Sequence, residues 1–265
     1  MSDESEDKSI DELIVLALSN YSNAERYEEV LVELRSRATV EMFNKAKALT
    51  LSEDPYRRIL GAQILCQLGH SKPKFVQQSC KILLSMLTSE ENPDVIGAIA
   101  WGLGHLKAKG REAPLIRLKN HPDAEVRLGV VGGLLGLATD PAVQTLIELS
   151  RDIDHDVRNW ATFGLGSQID EDLPEIRQAL YDRLFDDDEE IHLEAICGLA
   201  RRKDRRVIDA LCERLFLSQT VGFDDLQAAQ ALGAPELLPA LISLRDYLSL
   251  CTNELEKAIR ICESR

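Results

Sequence analysis

The sequence predicts an all-α fold, a right-handed α-solenoid of about seven to eight helix pairs. Two observations lead there. One motif returns along the chain at spacings of roughly 30–38 residues, the period of a helical array. Aromatics make up only 5% of residues while apolar side chains make up 45%, with leucine and alanine prominent, as helical packing prefers.

The motif is clearest in "DHDVRNWATFGLG" from Asp154. It returns as "NPDVIGAIAWGLGHL" from Asn92, "DAEVRLGVVGGLLGL" from Asp123 and "DEEIHLEAICGLARR" from Asp188. "DPYRRILGAQILCQL" from Asp54 and "SQTVGFDDLQAAQAL" from Ser218 are looser copies. The opening Asp, Asn or Ser is a good N-cap, because its side-chain oxygen accepts from first-turn amides. Three residues on stands an anchor: Arg57, Val95, Val126, Val157, Ile191 or Val221. Positions 0, 4, 7, 8 and 11 from it share one helix face. Gly102, Gly133, Gly164 and Gly198 stand in register at position seven. Glycine costs helix propensity there, so its recurrence predicts close approach between helices. Between these B helices run A helices such as "PAVQTLIELSRD" and "LPEIRQALYDRLF", with Pro73, Pro114, Pro141, Pro174 and Pro235 at or near their first turns. "IDELIVLALSN" and "AERYEEVLVELRSR" read as a first pair and "NELEKAIRICESR" as a last helix.

Pro early in helix A, then Asp-x-x-Val-Arg, small residues and Leu-Gly resemble HEAT repeats, in the short form also seen in phycobilisome-lyase subunits. The resemblance covers about residues 39–250. It implies one solenoid domain over residues 9–265, after an acidic tail at 1–8. It also implies a ladder in which the arginine after the anchor ties neighbouring repeats to turn aspartates. Arg127 and Arg158 would be the ties, with Asp123, Asp154 and Asp188 as partners; Arg58 holds the same position. The competing reading, a guanidinium row for phosphate, is opposed by the interruptions at Ile96, His192 and Gly222.

The formal net charge of −14 repels phosphate backbones at long range and argues against nucleic acid. The N-terminus lacks the basic and apolar regions of a secretory signal, and the run Leu13–Leu18 is too short to span a bilayer. Cys66, Cys80, Cys197, Cys212, Cys251 and Cys262 form no CxxC pair and suit a reducing cytoplasm. No metal site is expected, since the five histidines show no ligand spacing. Deoxyhypusine hydroxylases of the HEAT type carry His-Glu pairs; here His192 and Glu194 stand two apart, on different helix faces. No GxSxG, P-loop or dinucleotide fingerprint occurs, so the expectation is a non-enzymatic chain without cofactor.

A B helix flanked by its A partner and two B neighbours has one free side, which in HEAT arrays lines the concave surface. Positions two, six and nine fall there, giving Ile59, Trp101, Leu128, Phe163, Leu193 and Phe223 as a candidate partner-binding strip. The alternative is that superhelical curvature buries the strip. Trp160, at position three, reads as packing between B helices. The expected function is a protein-interaction scaffold or adaptor, with bacterial immunity or antitoxin proteins one form. The rival is a bilin or chromophore lyase, or its accessory subunit. The basic cluster Arg201–Arg206 is a second candidate docking edge.

Overall fold

A computed structural model describes residues 8–69, 72–217, 221–248 and 253–264. Sixteen α-helices run through the described residues and pair in chain order. The chain divides between Leu134 and Leu135 into two compact units. Unit 1 pairs α1 (Ile10–Ser19) with α2 (Ala24–Ser36), α3 (Val40–Leu49) with α4 (Pro55–Gln67), α5 (Val76–Met86) with α6 (Pro93–His105), and α7 (Glu112–Ile116) with α8 (Ala124–Leu134). Unit 2 pairs α9 (Asp140–Leu149) with α10 (His155–Phe163), α11 (Pro174–Arg183) with α12 (Glu189–Arg201), α13 (Ile208–Leu217) with α14 (Phe223–Leu232), and α15 (Leu238–Leu248) with α16 (Asn253–Glu263). Within each unit the even-numbered B helices also pack on one another in series. Most of the expected acidic tail, together with Ser218, His70 and Cys251, lies outside the described residues.

The turn side chains explain where the B helices begin. Asp54 accepts from the amide of Tyr56 at 3.0 Å, Asn92 from Val95 at 3.2 Å and Asp123 from Glu125 at 2.9 Å. Asp154 takes the amides of Asp156 and Val157, and Asp188 those of Glu190 and Ile191. Each thus satisfies first-turn donors that have no partner within the helix. The sixth copy departs from this register. Helix α14 starts at Phe223, two residues beyond its anchor, and the Gly222 amide donates to Asp225 at 2.9 Å.

The arginine ties use different carboxylates from those expected. Arg158 Nε and Nη2 donate to Asp186 at 3.2 and 3.3 Å, while Nη1 reaches the carbonyls of Asp152 and Ile153. Arg58 repeats the arrangement with Glu90 at 2.8 and 2.9 Å and with the carbonyls of Ser52 and Glu53. Arg127 Nη1 holds the carbonyls of His121 and Pro122 in its own turn. Asp154 and Asp188 cap their helices instead of facing Arg158, and Asp123 does the same for α8. The arginine's partner stands two residues before the next cap. That same side chain accepts the cap's amide, Asn92 to Glu90 at 3.0 Å and Asp188 to Asp186 at 3.3 Å.

Glycine explains how closely the B helices stack. A Cβ on Gly129 would stand 2.8 Å from the Cα of Gly97, and one on Gly198 2.7 Å from the Cα of Gly166. Of the four glycines in register, Gly133 and Gly198 face backbone of the preceding B helix, whereas Gly102 and Gly164 make room for side chains. Gly132 is different again, because a Cβ there would fall inside the indole of Trp101. Helix α10 continues as a π-helical turn, Gly164–Gln168. The buried guanidinium of Arg202 closes it, donating to the carbonyls of Leu165 at 2.8 Å and Ile169 at 2.7 Å.

Two stability outcomes follow. Gly→Ala inside a helix ordinarily gains up to ~1 kcal/mol of propensity. Gly132→Ala should instead lower unfolding stability by about 1–3 kcal/mol, as overpacking does, and pairing it with Trp101→Ala should relieve the clash; chemical denaturation of the three variants checks this. Arg158→Ala removes charge-assisted bonds worth about 1.5–3 kcal/mol, so its thermal midpoint should fall clearly below that of the parent. An unchanged midpoint would contradict the tie.

Candidate partner-binding face

In unit 1 the expected strip is largely taken up by packing. Ile59 is 3% exposed and belongs to the same apolar cluster as Tyr27 and Leu60, so it cannot meet a partner. Helix α2 covers that side of α4: the Tyr27 hydroxyl donates to Gln63 at 2.5 Å, and Arg35 to the Gln63 carbonyl at 3.0 Å. Trp101 is half-buried, with its indole over Gly132 and its ring centroid 6.2 Å from that of His105. Its first role is to fill the α6–α8 contact. Leu128 is half-buried on α8.

Unit 2 keeps more of the strip open. Phe163 and Leu193 are half-buried, while Phe223 is 59% exposed. Trp160 is 39% exposed and stands edge-on to Phe163 with centroids 5.6 Å apart. The B helices here are bridged by polar groups. Asn159 donates to Glu190 at 2.9 Å and Ser167 to Glu194 at 3.3 Å, both from α10 and its π turn to α12. Cys197 approaches the Asp224 carbonyl at 3.9 Å. Gln230 donates to the Glu254 carboxylate at 2.8 Å, linking α14 to α16. A cavity of about 330 Å³ opens beside Cys197, Arg201, Asp224 and Gln227.

Carboxylates of α12 and α14 act on one another and on Cys197 here. Burial raises the Glu194 carboxyl above its ordinary range, against the hydrogen bond from Ser167 and the charge of Arg201. Burial, with Glu194 and Asp224 alongside, pushes the Cys197 thiol up to about 12, so it stays protonated and unreactive at neutral pH. Among the described residues no group of three His, Cys, Asp or Glu side chains is placed to hold a metal. No helix among them is long and apolar enough to cross a membrane.

The basic cluster is engaged within the fold. Arg202 is buried on backbone carbonyls. Arg205 pairs with Glu236, and Arg206 with Asp204 at 2.7 Å. Arg177 bridges Asp172 and Asp204 at 2.6 and 3.3 Å, joining the acidic and basic turns. The hydrogen bonds from Arg206 hold the Asp204 carboxyl at about 2. The opposite charges of the turns "DEDLPE" and "RRKDRR" were the visible sign of this joining. Nothing in the spacing marked Asp186 and Glu90 as arginine partners.

Residues 80–166 match a family model described as HEAT repeats. Protein YibA of Escherichia coli (strain K12) is 42% identical over 121 residues, a match spanning 44% of this chain and 42% of YibA. The chain therefore matches under half the length of that curated relative. The X-ray structure of E. coli YibA superposes with a TM-score of 0.75 at 26% identity, over 97% of this chain and 93% of the other. The complex of CpcE and CpcF of phycocyanin lyase from Nostoc sp. PCC7120 gives a TM-score of 0.52 at 15% identity, over 100% and 97%, a likeness of fold. Residues 80–166 thus resemble HEAT repeats, and the recurrent capped B helices, packed in series, give an all-helical repeat fold similar to that of YibA.

Proposed function

We propose that the chain is a non-enzymatic, cytoplasmic scaffold that binds another protein through the open side of the B helices in unit 2. The observation that carries this reading is the edge-on pair of Trp160 and Phe163 on α10, with Phe223 59% exposed two B helices further on, at the start of α14. Contiguous apolar surface rimmed by charge is typical of interaction sites. Interface energy also concentrates in a few large residues. Within unit 2 the partner contacts are Phe163, Leu193 and Phe223, joined by Trp160. Leu128 and the exposed edge of Trp101 form a separate, smaller patch in unit 1. An immunity or antitoxin-type protein is one form this scaffold takes. The likeness to CpcE and CpcF is one of fold and supplies no chromophore chemistry.

The test is affinity purification of the full chain from its host, with the co-purified partner identified and its affinity measured on purified proteins. Phe163→Ala should weaken binding at least tenfold, about 1.4 kcal/mol, while unfolding stays cooperative. Gln144→Ala, on the exposed side of α9, should leave affinity unchanged. Loss of the fold in Phe163→Ala would place that residue in the core. A stoichiometric visible chromophore in the purified sample would contradict the reading and favour a lyase.

A further inference from the structure

Unit 1 holds a cavity of about 410 Å³, formed by the ends of α4 and α6 and the turn that leads into α5. Its size lies in the ~300–1,000 Å³ range of small-molecule sites. Pro73, Val76 and Leu106 supply apolar wall, and Lys74, His105 and Lys107 supply polar groups. No carboxylate lines it, although the chain has a net charge of −14. The reason is visible in the sequence: no Asp or Glu occurs between Asp54 and Glu90, or between Asp94 and Glu112.

Both lysines keep their charge uncompensated. Lys74 Nζ donates to the Ala38 carbonyl at 3.0 Å, a neutral acceptor. The Lys107 side chain makes no hydrogen bond or ion pair among the described residues. The charges of Arg35 and Glu28 reach the Cys66 thiol in the wall, but those two groups pair with each other at 3.0 Å. Lys107 also stands in a left-handed turn, φ 48°, one residue after the α6 C-cap, where glycine is usual. Its amide donates to the Gly104 carbonyl at 2.9 Å and that of Ala108 to Leu103 at 3.0 Å, so these carbonyls at the end of α6 are taken up.

We propose that the cavity binds a small phosphate monoester, with its phosphate at Lys74 and Lys107 and its organic part on Pro73, Val76 and Leu106. Two uncompensated ammonium groups match a dianion. A phosphate monoester brings close to two negative charges at neutral pH and three strong acceptor oxygens. A carboxylate brings one charge, and inorganic phosphate has no part for the apolar wall. Burial and the charge of Arg35 hold the His105 imidazole below its ordinary range, so at neutral pH it adds a hydrogen-bonding group without charge. The net charge of the chain opposes anions at long range, so occupancy depends on these local groups. The site lies wholly in unit 1 and stands or falls independently of the scaffold reading.

Calorimetric titration of the full chain with phenyl phosphate is the test, with benzoate and inorganic phosphate as comparison probes. The parent should bind phenyl phosphate saturably, and each comparison probe at least tenfold more weakly. Lys107→Met should weaken phenyl phosphate binding at least tenfold, whereas Lys107→Arg should keep most of it. Lys257→Met, which makes the same change in net charge at an exposed site on α16, should match the parent. Lys107→Gly separates binding from structure. Glycine suits the left-handed turn, so its thermal midpoint should be no lower than the parent's while binding is lost. No binding by the parent, equal binding of benzoate or inorganic phosphate, or parent-like affinity in Lys107→Met would overturn the assignment. A lower midpoint in Lys107→Gly would make the lysine a structural group and would count against the site as well.

Discussion

Where a turn carries an arginine after its anchor, that guanidinium sets the local architecture. Arg58 and Arg158 each hold two carbonyls of their own turn and then reach the carboxylate ahead of the next B helix. That carboxylate also takes the amide of the following cap residue. The start of one B helix is thereby fixed relative to the start of the next. Asp186 is mostly buried and additionally meets Arg183 at 3.2 Å, so its charge is compensated from two helices. A buried carboxylate without such partners would be strongly destabilising. The arginine of "DVRNW" is a structural tie, and the tryptophan two residues later stands edge-on to Phe163.

Once register is fixed, what fills the B-helix contact decides which faces stay available. Between α6 and α8 the filler is glycine against glycine, and Gly132 receives the Trp101 indole. The helices approach so closely there that the large side chain becomes part of the contact. Between α10 and α12 the Gly166–Gly198 approach is also close. The remaining links in that pair are Asn159 to Glu190 and Ser167 to Glu194, which leave the aromatic groups of α10 toward solvent. Similar repeat sequences thus produce a packed strip in one unit and an aromatic, acidic one in the other.

Much of the fold was legible because caps and period are local properties. Asp54, Asn92, Asp123, Asp154 and Asp188 announced their helices by residue type and spacing alone. The site was less legible because neighbouring residues of one type do different work. In "DDDEE" one aspartate caps α12 while another, two residues earlier, binds Arg158. Composition cannot separate them; only the path of the turn does. Helical-wheel position also fails where a third helix intrudes. Ile59 shares position two with Phe223, yet α2 packs on α4 and the residue is buried. At the sixth copy Gly222 offers no capping side chain, and α14 begins later than the pattern indicated.

The central claim is that a protein partner covers the open B-helix side of unit 2. Hydrogen-exchange mass spectrometry on the full chain, with and without the captured partner, measures this directly because protection reports local opening and coverage. Slower exchange on adding partner should appear in peptides from α10, α12 and α14, with α11 and α13 little changed. Protection confined to α11 and α13, with the B helices unaffected, would contradict the account.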